Sequence, residues 1–222
     1  MQAIVSTLLL RNVPLFSTLP EDQLTVLTKV VRRLSFPRGA TIVTAGDVTD
    51  SLYVVISGRF KVIIGDRTGR EIILAVLGQG EYFGEMVPIE DSTRSASVVA
   101  MEPGELLVLG KEDFRTCLQD NFEMAMTMLR CAIQRLAEAD RKIGRLALMD
   151  VYARVAGHLL EISETVDGQQ VIAQKIAKQQ MADTIGASRE MVHRAMKDLQ
   201  ARGFIEVRGK EIYLRDNIAL ID

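Results

Sequence analysis

The sequence predicts an α+β fold: a β-rich N-terminal half of jelly-roll type, one long helix, and a C-terminal pair of helices followed by a small β-hairpin. Three patterns carry that prediction. Short β-branched runs between Ala40 and Gly110 are punctuated by Gly46, Gly58, Gly65, Gly69, Gly78, Gly80 and Gly104, as expected of short strands joined by tight turns. From Asn121 to about Met149 a proline-free helical pattern runs without a break. Beyond Ala177, two short apolar-periodic segments flank the turn Gly186-Ala187-Ser188.

Taken in order, residues 1–36 read as helical pieces. Asn12-Val13-Pro14 breaks a first segment. Leu19-Pro20-Glu21-Asp22 opens a second, in which Leu24, Leu27, Val30, Val31 and Leu34 recur at helical spacing until Pro37-Arg38-Gly39 ends the pattern. The β region follows, with Gly65-Asp66-Arg67-Thr68-Gly69 as a hairpin turn inside it. Between Leu109 and Phe114 the pattern returns to helix. In the long helix Leu129, Ala132, Leu136, Ala139, Ile143 and Leu146 alternate in steps of three and four, an a/d seam that predicts a parallel homodimer. Packing on the chain's own β domain is the alternative, and one helix can use both faces. In that register Arg135 takes a g position and Asp140 the following e, positions that pair between chains of a parallel coiled coil; a solvated charge pair is the plainer reading. A further helix covers Asp150 to Glu161, and Thr165-Val166-Asp167-Gly168-Gln169 reads as a surface turn. The expected domains are 1–120 for the β domain, 121–149 for the dimer helix and hinge, and 150–222 for the C-terminal module.

Composition narrows the function. The chain has 222 residues, of which 48% are hydrophobic and 25% charged, ordinary values for a soluble globular protein. The apolar run Thr7-Leu8-Leu9-Leu10 is too short to span a membrane and lacks a cleavage site after it, so the expected location is cytoplasmic. Cys117 and Cys131 form neither a disulfide framework nor a metal spacing, and His158 and His193 stand far apart. No Ser/His/Asp order or pair of carboxylates in a plausible cleft points to an enzyme. Charge is divided unevenly: residues 1–121 carry 12 Lys and Arg against 15 Asp and Glu, whereas residues 174–215 carry 9 against 5. A basic C-terminal module on an acidic chain predicts a polyanion partner there.

The segment Phe83-Gly84-Glu85-Met86 to Thr93-Arg94-Ser95-Ala96-Ser97 carries the chemistry of the first half. A short helix starting near Gly84-Glu85 offers unpaired backbone N–H groups to an anion. Arg94 adds a planar cation with paired donors that suits a phosphate, while Glu85 can accept from a sugar hydroxyl. That is nucleotide chemistry, although taken alone the same residues also fit a surface loop with a structural Arg–Glu pair. Replacing Arg94 with alanine is expected to weaken nucleotide binding and leave the free protein folded.

The second half carries a reader. Lys178 to Ile185 forms a short helix, Gly186-Ala187-Ser188 a tight turn, and Ser188 caps a helix from Arg189 to about Arg202, which is helix-turn-helix spacing. Met181, Ala182, Ile185, Val192, Ala195, Met196 and Leu199 supply the packing positions. Arg189, Glu190, His193 and Arg194 lie outward near the start of the second helix, where this motif enters the major groove. Arginine suits guanine O6/N7 and glutamate can accept from cytosine N4, so G·C pairs are the expected preference. The segment from Gly203 to Asp216 reads as a hairpin turning at Arg208-Gly209-Lys210, a wing with phosphate-binding charge.

These residues together resemble the CRP/FNR family of bacterial transcription regulators, and the resemblance covers most of the chain. It implies a cyclic-nucleotide-binding β-roll, a dimerisation helix and a winged helix-turn-helix. Gly84, Glu85 and Met86 with Arg94, Ser95 and Ala96 match the cyclic-nucleotide cassette, which implies cyclic AMP as allosteric ligand. The resemblance assigns Glu85 to the ribose 2′-hydroxyl, Arg94 and Ser95 to the cyclic phosphate, and Arg135 to supporting the cassette from the long helix. It likewise places Arg189, Glu190 and Arg194 on base edges of palindromic TGTGA-type half-sites, and Lys178, Gln179, Arg208 and Lys210 on the DNA backbone. RNA polymerase is the further partner it implies. Where relatives that bind cyclic AMP hold adenine with a hydroxyl pair, this chain has Ala139 and Asp140; Asp140 can accept from the adenine 6-amino group, or pair with Arg135 of the other chain and leave the base unread. The cassette loop also looks one residue short. The cysteine cluster of iron–sulfur sensors and evident haem ligands are lacking, so no metal, cluster or haem is expected.

Overall fold

A computed structural model describes residues 5–66, 71–90, 93–173, 176–215 and 218; the side chains of Val87 and Pro88 are also outside the description. The chain divides into two compact units, one ending at Leu136 and one beginning at Ala137.

The first unit opens with α1 (Thr7–Arg11), capped by Ser6, and α2 (Glu21–Val30), whose first turn carries Glu21 and Asp22. The helical pattern does not extend to Leu34. Val31 is extended, and Arg32–Phe36 is a strand, β1. The remaining strands are β2 (Thr41–Val43), β3 (Ser51–Ser57), β4 (Phe60–Gly65), β5 (Glu71–Leu77), β6 (Tyr82–Phe83), β7 (Ser97–Ala100) and β8 (Gly104–Gly110). They form two antiparallel four-stranded sheets, in the orders β1-β8-β3-β6 and β2-β7-β4-β5. β1 pairs along its whole length with β8, Leu34 opposite Leu106. Leu34 and Phe36 therefore share a strand face with period two, and the three- and four-residue spacing back to Val30 and Val31 was coincidental. The turn proposed at Gly65 to Gly69 lies mostly outside the described residues, but β4 and β5 pair around it, Gly65 opposite Glu71.

Val43, Val55, Phe60, Leu77, Phe83, Val98, Ala100 and Leu106 fill the space between the two sheets. Leu52, Val54, Leu107 and Leu109 point the other way, into a second core with the N-terminal helices and Phe114. β3 and β8 are thus covered on both faces, which explains why Leu106 to Leu109 is a continuous apolar run. Gly110 caps α4 (Lys111–Asp120), and α5 (Phe122–Leu148) follows. The N-terminal half of α5 buries Met124 and Met128 in that second core, with Cys117 and Cys131 packed at its edge. Leu129, Ala132, Leu136, Ala139, Ile143 and Leu146 are all exposed.

In the second unit Asp150 caps α6 (Val151–Ile162), its Oδ1 accepting from Ala153 N at 2.8 Å. The expected surface turn is the tip of a hairpin: Asp167 and Gly168 take φ of 50° and 78°, joining β9 (Glu164–Val166) to β10 (Gln169–Ile172). Then come α7 (Lys178–Ile185), α8 (Arg189–Ala201), β11 (Ile205–Arg208) and β12 (Glu211–Leu214). The wing is part of a four-stranded sheet, β11-β12-β10-β9, because Val171 pairs with Tyr213. Val155, Ala156, Leu159, Met181, Ile185, Val192, Leu199 and Ile212 make its core.

Candidate ligand pocket and nucleic-acid interface

The cassette begins at the end of β6. Gly84 has φ of +85°, and a Cβ there would stand 2.3 Å from Arg94 Nη1 and 2.9 Å from the Ser51 carbonyl oxygen. Only glycine allows that conformation and that approach. A short helix, α3 (Met86–Glu90), follows immediately, close to the expected start. Asp91 and Ser92, within the loop between Gly84 and Arg94 that reads as one residue short, lie outside the described residues.

Arg94 is buried, 4% exposed. Its Nε donates to Thr49 Oγ1 at 2.5 Å, Nη1 to the Gly84 carbonyl at 2.8 Å and Nη2 to the Ser51 carbonyl at 2.6 Å. A guanidinium has five N–H donors, and these bonds use three of them. The cation also lies 5.6 Å from the Tyr53 ring centre, and Tyr53 stacks on Phe83 at 4.9 Å. Burial pushes the Arg94 pKa down, with Tyr53 and Glu85 opposing the shift. Ser95 Oγ lies 3.4 Å from Met86 Sδ and is exposed.

Arg135 reaches this site from α5. Its Nη1 is 3.1 Å from Glu85 Oε1, Nη2 donates to the Tyr82 carbonyl, and the guanidinium lies 4.9 Å from the Tyr82 ring centre. Within its own chain Arg135 thus pairs with the cassette. The Tyr82 hydroxyl donates to the Met128 carbonyl at 3.4 Å, a second tie between β6 and α5. Burial, together with a hydrogen bond to the Cys131 sulfur, pushes its pKa well up. Ala139 and Asp140 lie further along α5, and both are exposed.

In the second unit, Gly186 ends α7 in the left-handed region at φ 66°, ψ 48°. A Cβ there would stand 2.9 Å from Leu146 Cδ2. The Ser188 hydroxyl accepts from Met191 N at 3.1 Å, as its capping role requires. Sequence reasoning missed Arg154. From the first turn of α6 its Nη1 donates to the Ile185 carbonyl at 2.7 Å, satisfying the C-terminal end of α7 and tying it to α6. No periodicity announces such a clip, because its partner carbonyls lie about thirty residues away in sequence.

On α8, Glu190 and Arg194 pair at 3.0 Å with side chains 77% and 72% exposed, so the pair is free to exchange partners. Lys178 Nζ lies 2.6 Å from His193 Nδ1. Gln179 Nε2 donates to Asp183 Oδ1 at 2.7 Å. Lys197, also missed, is exposed one turn beyond His193 and Arg194; its spacing of seven from Glu190 is the signal that places it on the same face. In the wing Arg208 pairs bidentately with Glu206, at 2.7 and 3.0 Å, and lies 4.6 Å from the Tyr213 ring centre, while Lys210 is exposed at the turn. Arg208 therefore carries a carboxylate partner that sequence reading did not give it.

Two family models match: a cyclic nucleotide-binding domain over residues 33–121 and a Crp-like helix-turn-helix domain over residues 153–222. The chain belongs to the CRP/FNR family. Within it, the chain is 35% identical over 188 residues to the cAMP-activated global transcriptional regulator Vfr of Pseudomonas aeruginosa, covering 80% of this chain and 86% of that one. It is 28% identical over 213 residues to the CRP-like cAMP-activated global transcriptional regulator of Mycobacterium tuberculosis, covering 94% and 95%. Among solved structures it resembles the c-di-GMP responsive global regulator CLP of Xanthomonas campestris, with a TM-score of 0.76 and 29% identity over 88% of this chain and 99% of that one. This CRP/FNR member is thus a DNA-binding transcription regulator with a cyclic nucleotide-binding domain. Among the described residues no group of His, Cys, Asp and Glu could hold a metal ion, and no helix is long and apolar enough to cross a membrane.

Proposed function

We propose that the protein is a cytoplasmic homodimer that binds palindromic TGTGA-type DNA under the control of cyclic AMP, contacts RNA polymerase, and catalyses no reaction. The observation that carries the effector reading is the junction at Glu85: Arg94 is bonded to the preceding residue, and Arg135 of α5 to Glu85 itself. A nucleotide held by Arg94, Ser95 and Glu85, with the backbone of Gly84, Met86 and Ala96 around it, meets the side chain that joins cassette to long helix. Ligand binding there biases the helix only through a difference in affinity between two arrangements. Leu129, Ala132, Leu136, Ala139, Ile143 and Leu146 form the dimer seam. In the DNA-competent form the two readers stand roughly 34–36 Å apart, one helical turn of DNA.

On each half-site Arg189, Glu190, His193 and Arg194 face base edges, and Lys178, Gln179, Ser188, Arg208 and Lys210 face phosphates. Arg194→Ala is expected to cost about 1–3 kcal/mol and relax choice at one base pair. Competition binding against duplexes changed one pair at a time reads this directly, and an equal loss on specific and random DNA removes Arg194 from base readout.

A second effector reading follows from one observation, the Ala139 and Asp140 pair, which leaves the adenine contact to a single carboxylate. The same regulator would then answer to cyclic di-GMP, the ligand in the name of the Xanthomonas relative. Calorimetric titration of the purified protein with cyclic AMP, cyclic GMP and cyclic di-GMP separates the two. Saturable binding of cyclic AMP is expected. Heat with cyclic di-GMP and none with cyclic AMP at several temperatures moves the assignment to the second ligand.

A further inference from the structure

The Lys178–His193 contact joins the first residue of α7 to the outward face of α8 at 2.6 Å. An ammonium has donors and no acceptor, so His193 Nδ1 must accept and the ring proton must sit on Nε2. We propose that His193 reads a base edge as a neutral donor through Nε2–H, with Lys178 as the positioning residue that holds the ring in this one tautomer. The proposal deepens the DNA-contact assignment of the preceding section and rests on it.

Three cations surround the ring: Lys178 from α7, and Arg189 and Lys197 from α8 itself. They hold its pKa below the ordinary value, Lys178 most strongly, so near neutral pH the ring is uncharged. A neutral imidazole whose Nδ1 is occupied offers the groove a single donor. It suits guanine O6 or N7, adenine N7 or thymine O4, and it meets cytosine N4 donor to donor. Arg194, which also donates, and Glu190, which accepts, lie on the same helix face. His193 therefore adds one acceptor-seeking position to the readout. A protonated ring would present two donors and repel Lys178, which loosens both residues.

The test uses the full-length protein, with its preferred palindrome first selected from random duplexes. Ring ¹⁵N shifts of His193 are expected to report the Nε2–H tautomer, and the ring to titrate below about 6.5, the unperturbed value. In Lys178→Met the titration is expected to move up toward that value and the tautomers to mix. Against duplexes changed one pair at a time, His193→Asn is expected to lose about five- to tenfold discrimination at one position, the low end for a mismatched pair. His193→Gln, whose amide nitrogen can stand in for Nε2–H, retains most of it. Lys178→Met loses part of it at the same position, together with a uniform loss on all duplexes.

An Nδ1–H tautomer in the wild type, or His193→Asn weakening every duplex equally, overturns the proposal. If the wild type prefers no duplex at all, the underlying assignment of α8 as base reader fails first, a result distinct from either.

Discussion

Leu129→Asp combined with Leu136→Asp leaves a folded monomer whose affinity for palindromic DNA falls about 10²–10⁴-fold, the factor lost with bivalency. Each half of the expectation has its own cause. Met124, Met128, Cys131 and Arg135 lie on the stripe of α5 that faces its own unit, and Met124 and Met128 are buried there. Leu129, Ala132 and Leu136 lie roughly a third of a turn round the helix and are exposed, as is Ile133, which joins the stripe without having been read as part of it. Aspartate at positions 129 and 136 therefore removes nothing from the chain's own core, and the monomer keeps its fold. Across a seam, burying each leucine contributes about 1.5–3 kcal/mol, and facing carboxylates replace that attraction with repulsion. Sedimentation gives the oligomeric state, circular dichroism the fold, and anisotropy with palindromic and half-site duplexes the affinity. A double variant that still sediments as a dimer sinks the seam assignment.

Arg94→Ala is expected to weaken nucleotide binding on the order of 10²-fold or more and also to lower the melting temperature of the free protein. The sequence alone leads one to expect the first effect with an intact fold. Burial adds the second: Thr49 Oγ1 and the carbonyls of Gly84 and Ser51 lose their donor together, and each unsatisfied group costs about 1–3 kcal/mol. Loss of charge-assisted N–H donors to a ligand phosphate is worth about 1.5–3 kcal/mol apiece, hence an affinity loss on the order of 10²-fold or more. Arg94→Lys separates the roles. A lysine keeps the charge but lacks the fork that spans three acceptors, so it is expected to recover part of the affinity and less of the stability. Paired calorimetry and thermal melts check both, and full affinity in Arg94→Ala would take the residue out of the pocket.

Much of the architecture is legible in the sequence because it is local. Ser188 bonds Met191 three residues on, Gly186 adopts the conformation that glycine tolerates best, and Asp150 caps the helix it precedes. Those contacts depend on near neighbours, so residue type and spacing predict them. The β-roll was legible for a related reason, since periodicity records which face an element hides. Where two periods agree over a few residues the record is ambiguous: Val31 and Leu34 fit a helix, and only the pairing of β1 with β8 decides for a strand.

What tertiary structure alone decided is which partner each long polar side chain takes. Arg135 finds its intra-chain partners in the cassette, Arg94 could face solvent or be enclosed, and Arg154 has no local signal at all. Their partners lie ten to more than fifty residues away in sequence, at Gly84, Ser51, Glu85, Tyr82 and Ile185. The sequence by itself determined most of the elements, though not β1, together with the two modules and the chemical types present at each site. Folding determined the pairings, because a buried or half-buried cation takes whichever carbonyl or carboxylate the packed backbone brings within reach, and that distance is not written in residue order.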